Sequence, residues 1–143
     1  FSQFVKQAKM DYKVDHIGIA VNSLKTSIPL YERLLGESCY KTEQVSSESV
    51  DTAFFLQNGA KIELLESTDE NGVISRFIAK KGEGIHHIAF EVEDIEAEMK
   101  RLSALGFQVL NEQPKRGADN KLVCFLHPKS AHGGLVELFQ EIK

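Results

Sequence analysis

The sequence predicts an α+β fold in which two tandem βαβββ modules pair into one curved, cleft-forming mixed sheet. Three observations predict it. A pattern in the first half returns in the second: VDHIGIAVNSL, from Val14, is matched by IHHIAFEVEDI, from Ile85. His16 then aligns with His87, and Ile17, Ile19, Val21 and Leu24 align with Ile88, Phe90, Val92 and Ile95. KIELLE around Glu63 is likewise matched by LVELFQ around Glu137, so each half carries a histidine and, 47 or 50 residues later, a glutamate. Second, the hydrophobic periodicity changes in the same order in both halves. Third, a unit of about 60 residues buries too little apolar area to stand alone, so the two must share a core.

The elements follow in order. Asp15–Val21 alternates as a strand does, with His16 on one face. A helix is expected over Ser27–Leu35, with Pro29 in its first turn, Tyr31, Leu34 and Leu35 on its apolar face, and Gly36 just past its end. Strands are expected at Cys39–Val45, Val50–Gln57 and Lys61–Glu66, with Asn58-Gly59 turning a hairpin between the last two. The polar segment 67–83 links the halves and carries a short helix across Val73–Lys81. Ile85–Val92 is the next strand. Asp94 caps a helix whose apolar face is Ile95, Met99, Leu102 and Leu105, with Glu96 and Glu98 in its first turn and Gly106 ending it. Strands near Phe107–Asn111, Leu122–His127 and Leu135–Gln140 complete the repeat.

Composition narrows the function. The chain has 143 residues, 42% of them hydrophobic, which is enough for a folded core. It carries 17 basic and 21 acidic side chains, a net charge of −4, and no long basic run, which argues against nucleic-acid binding. No apolar run approaches the roughly 18–20 residues that span a bilayer, so no membrane partner is expected. Cys39 and Cys124 lie far apart without CxxC spacing and read as reduced thiols of a cytoplasmic protein. Phe1 to Lys9 precede Met10 without strong pattern. Residues 1–11 are therefore expected to be a tail, a leader or an addition from expression. Residues 12–143 are expected to form one domain, from modules 12–66 and 84–143 joined by linker 67–83.

The duplicated His and Glu carry the chemistry. A glutamate among apolar neighbours is costly unless it is paired or metal-bound, yet Glu63 lies between Ile62 and Leu64, and Glu137 between Val136 and Leu138. Pseudo-twofold pairing would bring His16, Glu63, His87 and Glu137 to one cleft. Two imidazoles and two carboxylates suit a divalent ion such as Co²⁺, Ni²⁺, Zn²⁺, Mn²⁺ or Fe²⁺. Four protein ligands in an octahedral sphere leave two positions open, which implies catalysis rather than a structural role. The alternative is a core of paired charges. His86 is expected on the opposite face of its strand, structural or supporting His87. His127 and His132 flank a turn and are expected to be solvated. Lys115, Arg116, Lys121 and Lys129 cluster around the last hairpin, where they form either a solvated loop face or a phosphate-binding rim for an acidic carrier.

These features resemble the vicinal-oxygen-chelate superfamily, which includes glyoxalase I, extradiol dioxygenases and antibiotic-resistance binding proteins. More narrowly, they resemble its methylmalonyl-CoA epimerase family from about Tyr12 to Ile142. The stretches VDHIGIAV, KIELLE, GEGIHHIAFEVEDI, NEQPKRGADNK and FLHPKSAHGGLVELFQ carry the resemblance, and the last discriminates best. It implies metal ligands at His16, His87 and Glu137, with Glu63 where some members have Gln, and it favours Co²⁺ while leaving Ni²⁺, Zn²⁺, Mn²⁺ and Mg²⁺ open. It also implies a homodimer and an acyl-CoA thioester substrate, epimerised at C2 through a metal-stabilised enolate. Glu137 would then be one proton-transfer group. Some epimerases carry a second carboxylate at the place that falls on Thr52 here. The opposing group is therefore Glu48, close by on the same stretch, or a water near Thr52.

Three alternatives use the same fold. A glyoxalase I-type lactoylglutathione lyase shares the four ligands and the enolate logic, but its glutathione carrier has no phosphates for the four cations. A non-catalytic small-molecule-binding protein generally lacks the ligands altogether. An extradiol dioxygenase uses two His and one carboxylate, and Glu63 would be a fourth ligand.

Overall fold

A computed structural model describes residues 9–117 and 120–142. The chain runs β1 (Lys13–Ala20), α1 (Leu24–Leu35), β2 (Lys41–Val45), β3 (Val50–Gln57), β4 (Ala60–Ser67), α2 (Val73–Lys81), β5 (Gly84–Glu91), α3 (Ile95–Ala104), β6 (Lys115–Gly117), β7 (Lys121–Leu126) and β8 (Leu135–Glu141). Short 3-10 turns stand at Ser46–Glu48 and Pro128–Ala131. Most of the expected tail, residues 1–8, and positions 118, 119 and 143 lie outside the described residues.

All eight strands form one mixed sheet in the order β2-β3-β4-β1-β5-β8-β7-β6. Each half repeats one arrangement: β1 runs parallel to β4, and β5 runs parallel to β8. The halves meet where β1 and β5 pair antiparallel. Residues of β2 and of β6, at opposite edges, line the same cavity, so the sheet curls until its ends face each other. This is the α+β architecture expected from the repeat.

The helices cover the sheet by burying one face each. Leu24, Ile28, Tyr31 and Leu35 of α1 pack on Val21, Ala53, Phe55 and Leu64. Ile95, Met99 and Leu102 of α3 pack with Cys124, Leu126 and Leu138. Ile74 of α2 joins Ala20, Val50 and Leu65. Among the described residues, no helix is long and apolar enough to cross a membrane.

Most elements fall where the periodicity puts them. α2 spans Val73–Lys81 as expected, and Asn58 and Gly59 take φ of 48° and 84°, the paired positive angles of a tight hairpin turn. Asp94 accepts from Ala97 N–H at the start of α3.

Three details differ. α1 starts at Leu24 rather than Ser27, because Glu66 of β4 accepts from Leu24 N–H at 2.7 Å and supplies the cap from a distance. Pro29 therefore sits inside the helix, and Leu34, expected on the apolar face, is 69% exposed. Leu105 likewise ends α3 half-exposed rather than in its buried face. The strand expected at Phe107–Asn111 is reduced to an isolated bridge, Val109 with Leu126. There the Asn111 side chain takes the Phe125 N–H that a ladder would use, and the edge strand forms later, at β6.

Candidate active site

Two rows of side chains cross the middle of the sheet. In one, Lys61, His16, Ala89 and Glu137 are successive cross-strand neighbours; in the next, Glu63, Gly18, His87 and Leu135 are. Residues two apart on a strand share a face. His16, Glu63, His87 and Glu137 accordingly all line one cavity of about 350 Å³.

Strict alternation fails at two points, and both failures shape the site. Val14 pairs with Phe90 and His16 with Ala89, which leaves Asp15 as an extra residue in β1. Gly18 pairs with His87 and Ile19 with Ile85, which leaves His86 extra in β5. Each is a β-bulge, which re-aims the side chains beside it. His86 therefore lines the same cavity as His87, not the opposite face as alternation predicts. Its ring stacks edge-on against Phe77 at 4.9 Å between centroids, and its Nδ1 lies 3.0 Å from Nδ1 of His87.

Each central histidine is thus held by the residue before it. His16 Nδ1–H donates to Asp15 Oδ2 at 2.8 Å, and His87 Nδ1 meets His86. The Nε2 atoms meet each other at 3.1 Å, within hydrogen-bond distance. Glu137 Oε1 stands 3.8 Å from His87 Nε2. Among the described residues, His16, His87 and Glu137 offer donor atoms all within 4.8 Å of one another. Glu63 approaches the other side of His16, with Oε2 3.4 Å from Nδ1.

The donor set fits a metal. Two atoms bonded to one ion at about 2.1 Å can be no more than about 4.2 Å apart; two of the three pairs, at 3.1 and 3.8 Å, lie inside that limit, and the third lies within 4.8 Å, a small side-chain adjustment away. Nitrogen with carboxylate oxygen suits divalent transition metals. A carboxylate behind a ligating histidine, as Asp15 is behind His16, fixes the tautomer that presents Nε2.

Burial dominates the electrostatics. It raises the proton affinity of Glu63 and Glu137, though nearby His16 pulls both back. Burial disfavours charge on His16, but Asp15, Glu63 and Glu137 outweigh it and raise its pKa. His87 has no such support; burial, then His16 and His86, push it down to about 3. Burial raises Asp15, yet the His16 hydrogen bond and Lys61 bring it to about 2. Without an ion, the two histidines are therefore unequal.

Glu48 lines the cavity from the turn after β2, and Thr52 lines it from β3 at 2% exposure. Lys115, Arg116 and Lys121 contribute to the wall. Lys129 is not among the lining residues; it is exposed on the turn before β8. His127 accepts from Lys129 N–H at 3.0 Å and caps that turn, and His132 closes it with φ 55°. Sequence reasoning passed over Asp15, Lys61 and Glu43, which is held by Lys41 at 2.8 Å. Asp15 adjoins a candidate ligand, and that adjacency was the available signal.

Comparison with known proteins extends the picture. The profile of the Glyoxalase/Bleomycin resistance protein/Dioxygenase superfamily matches residues 15–125. The ethylmalonyl-CoA/methylmalonyl-CoA epimerase of Cereibacter sphaeroides is 40% identical over 130 residues, covering 90% of this chain and 97% of that protein. A hypothetical protein of Bacillus halodurans superposes with a TM-score of 0.86 at 42% identity, covering 93% of this chain and 96% of the other. A Streptomyces coelicolor methylmalonyl-CoA epimerase variant, solved with 2-nitronate-propionyl-CoA, gives a TM-score of 0.77 at 34% identity, covering 91% and 97%. Match lengths, identities and the shared curled sheet together establish that this chain belongs to the methylmalonyl-CoA epimerase family of the glyoxalase superfamily.

Proposed function

We propose that the chain interconverts the (R) and (S) forms of methylmalonyl-CoA by metal-dependent proton exchange at C2. One observation carries the reading: two histidines and a glutamate from both halves converge at one point of the cavity in a chain whose relatives bear this activity's name. The analogue bound by the Streptomyces coelicolor relative is a nitronate. A nitronate has a planar carbon and carries its negative charge on oxygen, as does the enolate left when C2 loses its proton.

C2 of the substrate lies between a thioester and a carboxylate, and charge flows to their oxygens as its proton leaves. His16, His87 and Glu137 are the residues that would hold a divalent ion, with Co²⁺ the family-favoured choice; Glu63, expected as a fourth ligand, stands instead at Nδ1 of His16 and would have to turn toward the Nε2 side to join them. When bound, that ion supplies Lewis acidity toward the substrate oxygens, worth several kcal/mol in a site closed to water.

The protein's own groups handle the proton. Glu137, made more basic by burial, takes it from one face of C2. Glu48, or a water held at Thr52, returns one to the other face. Val50, Leu65 and Ile74 make part of the cavity wall apolar. Lys115, Arg116 and Lys121, with Lys129 farther out, meet the phosphates of the CoA carrier. A cytoplasmic homodimer completes the proposal. The free thiols of Cys39 and Cys124 suit a reducing compartment, and exposed Ile85 and Leu34 offer apolar surface to a second copy.

The test is solvent-deuterium incorporation at C2 of methylmalonyl-CoA by metal-loaded protein. Exchange blocked by free CoA in a salt-sensitive way, and untouched by glutathione, is the expected result. No exchange above a metal-free background ends the proposal, and turnover of a glutathione hemithioacetal instead makes the chain a glyoxalase.

A further inference from the structure

Gly18 occupies a place where a side chain would separate two of the converging groups. It is the cross-strand partner of Glu63 on one side and of His87 on the other. Its counterpart in the second half is Ala89, which stands between His16 and Glu137 in the neighbouring row. Both positions are small, but only one lacks a Cβ.

The difference is steric. A Cβ placed on Gly18 would fall 2.2 Å from Cε1 of His87, 2.6 Å from Nδ1 and 2.8 Å from Nε2. The imidazole lies directly over the Gly18 backbone. Gly18 is not among the glycines with positive φ, so its conformation does not itself require glycine. A mid-strand glycine weakens a sheet relative to alanine. The residue is therefore costly to the strand, and its observable return is the space taken by the His87 ring.

We propose that Gly18 is a positioning residue for His87: its missing side chain lets the imidazole rest on β1, which brings Nε2 to 3.1 Å from that of His16. Strand pairing to β4 and β5 pins the backbone at position 18. The ring turns on two side-chain torsions and is what yields when a methyl group is added. Displaced, it leaves the cluster with His16 and Glu137.

The test has two parts, and only the second rests on the metal-binding reading. In metal-free protein, Gly18→Ala lowers Tm by several degrees with His87 present, and leaves it unchanged or raises it in a His87→Ala background. Equal changes in both backgrounds overturn the proposal. If Gly18→Ala does not fold, recovery of the fold on adding His87→Ala supports the proposal, and failure of the double variant overturns it. Titrated with Co²⁺, Gly18→Ala binds about ten- to a hundredfold more weakly than wild type, with an altered visible absorption spectrum, while Ala89→Gly keeps wild-type affinity. Wild-type affinity and spectrum in Gly18→Ala overturn the positioning role. A wild type that takes up no Co²⁺ refutes the metal reading instead, and the stability cycle then decides the role of Gly18 alone.

Discussion

His16 and His87 lie 71 positions apart in the chain, yet their Nε2 atoms stand 3.1 Å apart. Antiparallel pairing of β1 with β5 makes the two strands neighbours, and a bulge beside each histidine turns the preceding residue onto its Nδ1. The same arrangement predicts how the site responds to change.

The two proton-transfer groups have separable signatures. Glu137→Gln should lower C2 exchange by on the order of 10²- to 10⁴-fold. If Glu48 serves the opposite face, Glu48→Gln should suppress interconversion while one epimer still exchanges its C2 proton with solvent. Chiral analysis of the thioester alongside deuterium uptake measures both. Interconversion and exchange both left intact in Glu48→Gln assign the second face to a water at Thr52, and equal loss of the two denies Glu48 a role at one face only.

Metal binding should be linked to pH through His16. Its pKa is raised, so competition between a proton and an ion at His16 extends to higher pH than for an ordinary imidazole, whereas His87, pushed down to about 3, adds none near neutrality. Apparent affinity should therefore climb with pH until it passes the raised His16 pKa, then level off. Asp15→Asn removes the carboxylate charge that favours the imidazolium and should shift the plateau to lower pH. Calorimetric titrations in buffers of different ionisation enthalpy count the protons released.

Carrier recognition should depend on cations at the cavity wall. Replacing Lys115, Arg116 or Lys121 by alanine should raise KM for the CoA thioester by about tenfold, with a smaller effect at high salt. Lys129→Ala, off the wall, should change KM less. Steady-state kinetics across a salt series makes the comparison.

Away from the cavity, Tyr12 donates to Glu98, and Arg101 binds both. Burial, and then the Glu98 hydrogen bond, push the Tyr12 pKa up to about 12. A raised folded-state pKa means the stabilisation is complete below the unfolded value near 10 and fades as pH rises toward 12. Arg101 and Tyr12 outweigh burial at Glu98 and lower its pKa, so that contribution holds above the unfolded carboxylate value and fades on acidification. Tyr12→Phe should cost about 1 kcal/mol at neutral pH and remove the tyrosine-linked part of the alkaline decline. Urea unfolding across pH reads both.

How much of this was legible in the sequence depends on the range of the interaction. The repeat aligned His16 with His87 and Glu63 with Glu137, and the residues of the paired rows follow from that alignment. Local signals also served well where local chemistry decides, as at Asn58-Gly59 and the Asp94 cap. The bulges at Asp15 and His86 shift the alternation by one residue, and in the sequence they show only as the adjacent polar pairs Asp15-His16 and His86-His87, too short a break to tell from an ordinary strand. The early start of α1 depends on Glu66, and the failed strand at Phe107–Asn111 depends on the side chain of Asn111. Glu63 shows the remaining limit: the repeat brings it to the cavity, but its position at Nδ1 of His16 could not be read from spacing.

X-ray absorption at the cobalt edge, on protein loaded and then freed of excess ion, tests the core idea most directly. One cobalt per chain, bound by two imidazole nitrogens and carboxylate oxygen, with at least one imidazole lost in His16→Ala and in His87→Ala, is the predicted result. Cobalt held by fewer than two imidazoles in the wild type, or an environment indifferent to both substitutions, would contradict it.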